Sequence, residues 1–142
     1  MKKEISCGIV VLQRLQEAFK VLVIKQASGK HWTLCKGHIE STDTSNLETA
    51  KRELLEEVNL TVNEFLFDQE TFTSNYMFER NGHTVDKTNI FFVGIVEDPS
   101  NVRVQESEIL DYKWSNMKEA IDIMTYDTDK EILRDVFQRL EK

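Results

Sequence analysis

Residues 36–60 read KGHIESTDTSNLETAKRELLEEVNL. Ser45 and Glu48 form an S-x-x-E capping box, and Leu47, Ala50, Leu54 and Val58 recur at helical spacing, so a helix is expected over 45–58. Asn59 follows as a left-handed stop. On that helix Glu57 lies four residues from Glu53 and Glu56 three, which puts three carboxylates on one face beside the apolar stripe. Like charges so placed cost an isolated helix roughly 0.2–0.5 kcal/mol per pair. A hard divalent cation, which prefers oxygen ligands, would reverse that cost. The plainer alternative is a solvated acidic face with Lys51 and Arg52 as partial partners.

Outward from this helix the chain is mostly strand. Residues 4–13 and 20–26 are apolar and β-branched around a polar turn and read as a hairpin or meander. Strand signals return at 60–72, weakly at 75–80, strongly at 87–95 and again at 110–115. A second capping box, Thr128 to Glu131, is expected to open a C-terminal helix that buries Ile132, Leu133, Val136, Phe137 and Leu140. The expected fold class is therefore α/β (α+β) with a mixed sheet. With 142 residues, no repeat and no linker, residues 1–142 are expected to form one domain.

Composition narrows the function. The net charge of −7 argues against a surface that holds nucleic acid by a general basic field. Any polyphosphate must then be neutralised by metal ions and a few local cations. Cys7 and Cys35 have no metal-ligand spacing, and as reduced thiols they favour a cytoplasmic location. No apolar run approaches the roughly 18 residues of a membrane span, so no membrane partner is expected.

The 36–60 segment resembles the signature of the Nudix hydrolases: a Gly, an acidic residue at fixed spacing, then R-E-aliphatic-x-E-E-x-G-aliphatic. The matching residues are Gly37, Asp43, Arg52, Glu53, Leu54, Glu56, Glu57 and Leu60. Asp43 stands where the family has Glu, eight residues rather than seven separate it from Arg52, and Asn59 replaces the usual Gly. The extra residue is placed between Asp43 and Leu47, where a loop becomes a helix. The flanks, QASGKHWTLCKGHIE, NYMFERNGHTVDKTNIFFVGIV and ESEILDYKW, are similar to the branch that cleaves diadenosine tetraphosphate and related dinucleoside polyphosphates asymmetrically.

That resemblance implies a Nudix fold, an α/β/α sandwich around a central mixed sheet, and Mg²⁺-dependent hydrolysis of a phosphoanhydride, with Mn²⁺ as a substitute. It implies Glu53, Glu56, Glu57 and Glu108, with the Lys36 carbonyl, as metal ligands, and Glu57 or Glu108 as the base. Glu106 competes with Glu108 for its part. Glu57, Glu53, Glu108 and Arg52 form the implied catalytic set, Arg52 as a structural pin on Asp43. His31, Lys36, His38, Tyr76, Lys87 and Tyr126 are the implied substrate contacts, the lysines and histidines on phosphate and the tyrosines on the base. Trp32 and Trp114 are left to the core. The partner is then a small nucleotide. The alternatives are a Nudix pyrophosphohydrolase acting on nucleoside triphosphates or RNA 5′ ends, and a non-catalytic nucleotide-binding module.

Overall fold

The computed structural model describes residues 1–141. Its eight strands, β1 (Lys2–Arg14), β2 (Phe19–Gln26), β3 (Trp32–Thr33), β4 (Lys36–His38), β5 (Val62–Phe65), β6 (Phe72–Arg80), β7 (His83–Val96) and β8 (Ile109–Ser115), form one mixed sheet. Among the described residues are three α-helices, α1 (Asn46–Val58), α2 (Met117–Ile123) and α3 (Asp127–Leu140), and two single-turn 3₁₀ segments, Phe67–Gln69 and Pro99–Asn101. β1 and β7 run parallel from Lys2↔Val85 to Leu12↔Ile95, and every other pairing is antiparallel.

The parallel pair forms the spine, and its sequence shows why. Strands covered on both faces read as near-continuous apolar runs. Cys7, Ile9, Val11, Phe92 and Val96 face one core with Ala50, Leu54 and Val58 of α1. Val10, Leu12, Phe91, Val93 and Ile95 face a second core with Ile132, Leu133, Val136 and Phe137 of α3. Helices thus cover both faces of the mixed sheet, the α/β/α arrangement of the Nudix fold.

α1 begins as its capping box dictates, with Ser45 Oγ accepting from the Glu48 N–H at 3.1 Å. It ends on Asn59 in the left-handed region, φ 61° and ψ 36°, whose N–H bonds the Leu55 carbonyl. α3 departs from expectation. It starts at Asp127 with Tyr126 as a cap that makes no side-chain bond, so Thr128 lies inside the first turn and its capping box is not formed. The strand expected over 60–72 is also broken: pairing stops at Phe65, and Phe67, Asp68 and Gln69 all take positive φ before β6 begins. That left-handed turn is braced by Arg139 of α3, whose guanidinium stacks on Phe67 at 4.8 Å and bonds Glu70 at 2.8 Å. Trp32 and Trp114 are half-buried at the edges of the two cores rather than inside them.

Candidate active site

β4 brings the site together. β2 pairs with β1 only at Leu12–Arg14, and β4 takes the vacated place beside Ser6–Gly8. Because side chains alternate across a strand, Gly37 faces α1 while Lys36 and His38 face α3. The absence of a side chain at Gly37 is required, since a Cβ there would overlap the Glu53 carboxyl group.

On the α1 side, Arg52 is the positive charge among the acids. Its Nε and Nη2 each bond Asp43 at 3.0 Å, and Nη2 also bonds the His38 carbonyl. Its Nη1 reaches Glu53 at 3.0 Å and Glu56 at 3.2 Å, with Glu40 at 3.5 Å. The shorter arm of Asp43 does reach Arg52 across the inserted residue, and it also accepts from Thr49 Oγ1 at 2.7 Å and from the Glu40 N–H at 2.9 Å. Four hydrogen bonds hold the Asp43 carboxylate well below the usual carboxylate range.

Glu57 is different. It is 8% exposed, and its Oε1 has no partner. Burial, with Glu53 and Glu108 nearby, pushes its pKa up to about 8 against the pull of the Lys36 ammonium and backbone N–H. Burial also raises Glu53, opposed by Arg52. Of the two acids before β8, Glu108 is the one whose charge reaches Glu57. Its loop is fixed by Gln105 N–H to the Glu57 carbonyl and Ala27 N–H to the Glu108 carbonyl.

Oxygen donors of this kind suit a hard divalent cation, and the orphaned Oε1 of Glu57 has capacity to spare. Among the described residues, however, no three such side chains are gathered as a metal would gather them, and Arg52 holds Glu53 and Glu56 instead.

The α3-facing side carries the cations and aromatics in rows. Lys36, Gly8 and Phe91 share one row; His38, Ser6, Asn89 and Ser74 the next; Glu4, Lys87 and Tyr76 the third. Lys87 is buried against the Ser6 hydroxyl, and burial together with the Lys36 charge lowers its pKa. Burial and Lys87 lower His38 likewise. Tyr76 and Phe78 of β6 face Tyr126, Asp127 and Thr128 across a cleft of about 510 Å³, and His31 lies 5.0 Å from the Tyr126 ring. A larger apolar cavity of about 650 Å³, beside the β1–β2 turn and the end of α3, contains none of these residues.

Sequence reasoning passed over Asn89 and Asp129. Each carried a signal: Asn89 interrupts the inward alternation Val85, Phe91, Val93, and Asp129 lies three and four residues before Ile132 and Leu133 on the buried stripe of α3. Burial pushes the Asp129 carboxyl up to about 6, opposed by Lys36.

A mixed sheet between two helical layers, with an R-E-L-L-E-E helix laid against a Lys-Gly-His strand, defines the Nudix class. The NUDIX domain profile matches residues 2–139, and the chain belongs to that family. The solved structure of a C. elegans Ap4A hydrolase binary complex is 22% identical, covering 97% of this chain and 98% of that one, with a TM-score of 0.73. The NUDIX domain of Shewanella oneidensis NrtR complexed with ADP ribose is 15% identical, covering 99% and 90%, with a TM-score of 0.75. An E. coli dihydroneopterin triphosphate pyrophosphohydrolase is 18% identical, covering 95% and 97%, with a TM-score of 0.70. At these identities the likeness is one of fold. No curated protein matches the chain significantly in sequence.

Proposed function

We propose that the chain is a cytoplasmic, Mg²⁺-dependent pyrophosphohydrolase of dinucleoside polyphosphates that cleaves diadenosine tetraphosphate to ATP and AMP. The observation that carries this reading is the continuity of the α3-facing side. The Tyr76–Tyr126 cleft has room for a base, Lys87, His38 and Lys36 lead away from it, and Lys36 ends beside Glu57. In a protein of net charge −7 those cations are the local neutralisation a polyphosphate needs.

Glu53, Glu56, Glu57 and Glu108, with the Lys36 carbonyl, would hold the ion, which supplies charge to neutralise the phosphate oxygens and acidify water. The chain's own residues do the rest. Tyr76 and Tyr126 stack on the base, and Lys36, Lys87, His31 and His38 align the phosphate chain. Arg52, locked to Asp43 and to the His38 carbonyl, holds the loop after β4, and with it the strand that carries Gly37, in place. Glu57 Oε1 takes a proton from the attacking water as the bridging P–O bond breaks and AMP and ATP separate. Catalysis on this scheme is positioning plus charge stabilisation.

A second reading, nucleotide binding without turnover, is favoured by the grip of Arg52 on Glu53 and Glu56. One experiment separates the readings: chromatography of products from diadenosine tetraphosphate, nucleoside triphosphates and triphosphorylated RNA with Mg²⁺. Equimolar ATP and AMP supports the first. ADP alone, or turnover confined to triphosphates or RNA, overturns the assigned branch, and binding with no turnover supports the second.

A further inference from the structure

Phe78 lines the same cleft as Tyr76 and Tyr126, yet it has no part in the base site assigned above. Residues two apart on a strand share a face, so Tyr76, Phe78 and Arg80 of β6 stand in line on the α3-facing side, opposite Lys87, Val85 and His83 of β7. The Tyr76 and Phe78 rings lie 6.0 Å apart between centroids and 36° from parallel, a spacing at which aromatic rings pack against each other. The β6 wall of the cleft is therefore a surface of two adjoining rings, with Tyr126 of α3 across from it.

Arg80 holds the second ring in place. Its backbone lies one step past Phe78 at the end of β6, yet its Nη1 bonds Glu4 at 2.7 Å, and Glu4 of β1 belongs to the row of Lys87 and Tyr76. The side chain has thus folded back along the sheet past Phe78, and its guanidinium lies over that ring, 5.1 Å from the centroid. Phe78 lines the cleft and Arg80 does not, so the guanidinium backs the ring and leaves the cleft open. The far end of the brace is sheltered: the Glu4 side chain is 10% exposed, with Lys2 as a second cation at 3.7 Å. A cation fixed at one end and stacked on an aromatic face at the other restrains the ring from swinging out of the cleft.

We propose that Phe78 is a second base-contacting ring beside Tyr76, and that Arg80, tied to Glu4, is the positioning residue that keeps it against the base. This rests on the base site assigned above and adds to it a contact and the brace that fixes it. The ligand feature recognised is the flat aromatic face of a nucleobase, whose contact with aromatic side chains does not depend on hydrogen-bond pattern.

The test is equilibrium binding to the full chain, by calorimetry in excess chelator so that nothing turns over, of ATP and of inorganic tripolyphosphate, which lacks the nucleoside. The wild-type protein should bind ATP more tightly, and the ratio of the two affinities reports the nucleoside's share. Phe78→Leu should cut that ratio by about fivefold or more, the lower end of what a base–aromatic stack is worth, while binding tripolyphosphate as the wild type does. Arg80→Ala should cut it by about threefold or more, and Arg80→Lys, which can still reach Glu4 and stack on Phe78, should restore it. A ratio unchanged in Phe78→Leu or in Arg80→Ala overturns the proposal, as does equal weakening of both ligands, which is what a merely structural role would produce. Thermal unfolding checks that each variant folds; should Phe78→Leu fail, the two Arg80 variants decide. A wild-type protein that binds ATP no more tightly than tripolyphosphate overturns the base site itself and this proposal with it. Failure to hydrolyse diadenosine tetraphosphate, with the ratio falling as expected in the variants, refutes the proposed reaction and retains the second ring.

Discussion

Arg52 and Asp43 meet through two parallel hydrogen bonds of 3.0 Å, across a loop one residue longer than the family spacing. The pair ties the later part of the β4–α1 loop to the middle of α1, and the same guanidinium fixes the His38 carbonyl where the loop begins.

The two residues should therefore behave as a unit. Asp43→Asn and Arg52→Gln are each expected to lower the melting temperature and kcat, and the double variant should cost clearly less than their sum, because the second change removes a charge already unpaired. The folded pKa of Asp43 is depressed, so its contribution is present above the unfolded value of 3.8 and is lost as pH falls through the lower folded value. Acid unfolding curves of wild type and Asp43→Asn check this: the variant's stability should fall less as pH drops below 3.8. Additive effects would show that the contact carries nothing.

Glu57→Gln should fold normally and lose on the order of 10²-fold or more in kcat, because it removes a ligand charge or the base. Steady-state turnover of diadenosine tetraphosphate is the measurement. A variant within about threefold of wild type would remove Glu57 from the catalytic set.

Chelation should abolish hydrolysis, and Mg²⁺ or Mn²⁺ should restore it. The ion must also loosen Arg52 from Glu53 and Glu56, so metal titration followed by amide or guanidinium NMR should shift the Arg52 signals. Full activity in excess chelator would end the metal assignment.

Asp129 gives a pH dependence of opposite sign to that of Asp43. Its folded pKa is raised to about 6 from 3.8, so the folded protein holds the proton more tightly and stability falls as pH climbs from the lower value to the higher. The full loss is roughly 3 kcal/mol by the usual conversion of a pKa shift. Denaturant melts of wild type and Asp129→Asn between those limits should diverge as pH rises, the variant staying flat.

The left-handed turn at Phe67–Gln69 depends on a brace from outside it. Left-handed geometry costs roughly 1–2 kcal/mol per non-glycine residue. Gln69→Gly should therefore raise the melting temperature. Arg139→Ala should lower it by an amount equivalent to about 1 kcal/mol, for loss of stacking on Phe67 and Phe72. Differential scanning calorimetry decides both.

What was legible in the sequence was whatever local chemistry determines. Ser45, Glu48 and Asn59 marked the ends of α1 because capping acts over three or four residues. The apolar runs of β1 and β7 announced strands covered on both faces. Thr128 and Glu131 formed the same local pattern as Ser45 and Glu48, yet α3 takes Tyr126 as its cap, two residues earlier than that pattern places it, with Asp129 buried in the first turn. The break at Phe67 is held by Arg139, far along the chain, and no nearby residue foretells it. Arg52 was legible as the partner of Asp43, while its hold on Glu53 and Glu56 was not, since spacing shows which charges are neighbours and geometry decides which of them meet.

The spine of the sheet joins β1 to β7, strands separated by most of the chain, in eleven consecutive pairs. Contacts so distant in sequence must close a long loop before they return any stability, which slows folding. On a ribosome β1 would therefore emerge with both faces apolar and wait for β7 before either core could close. Residues 5–12 are the part of this protein with most need of shielding while it is being made.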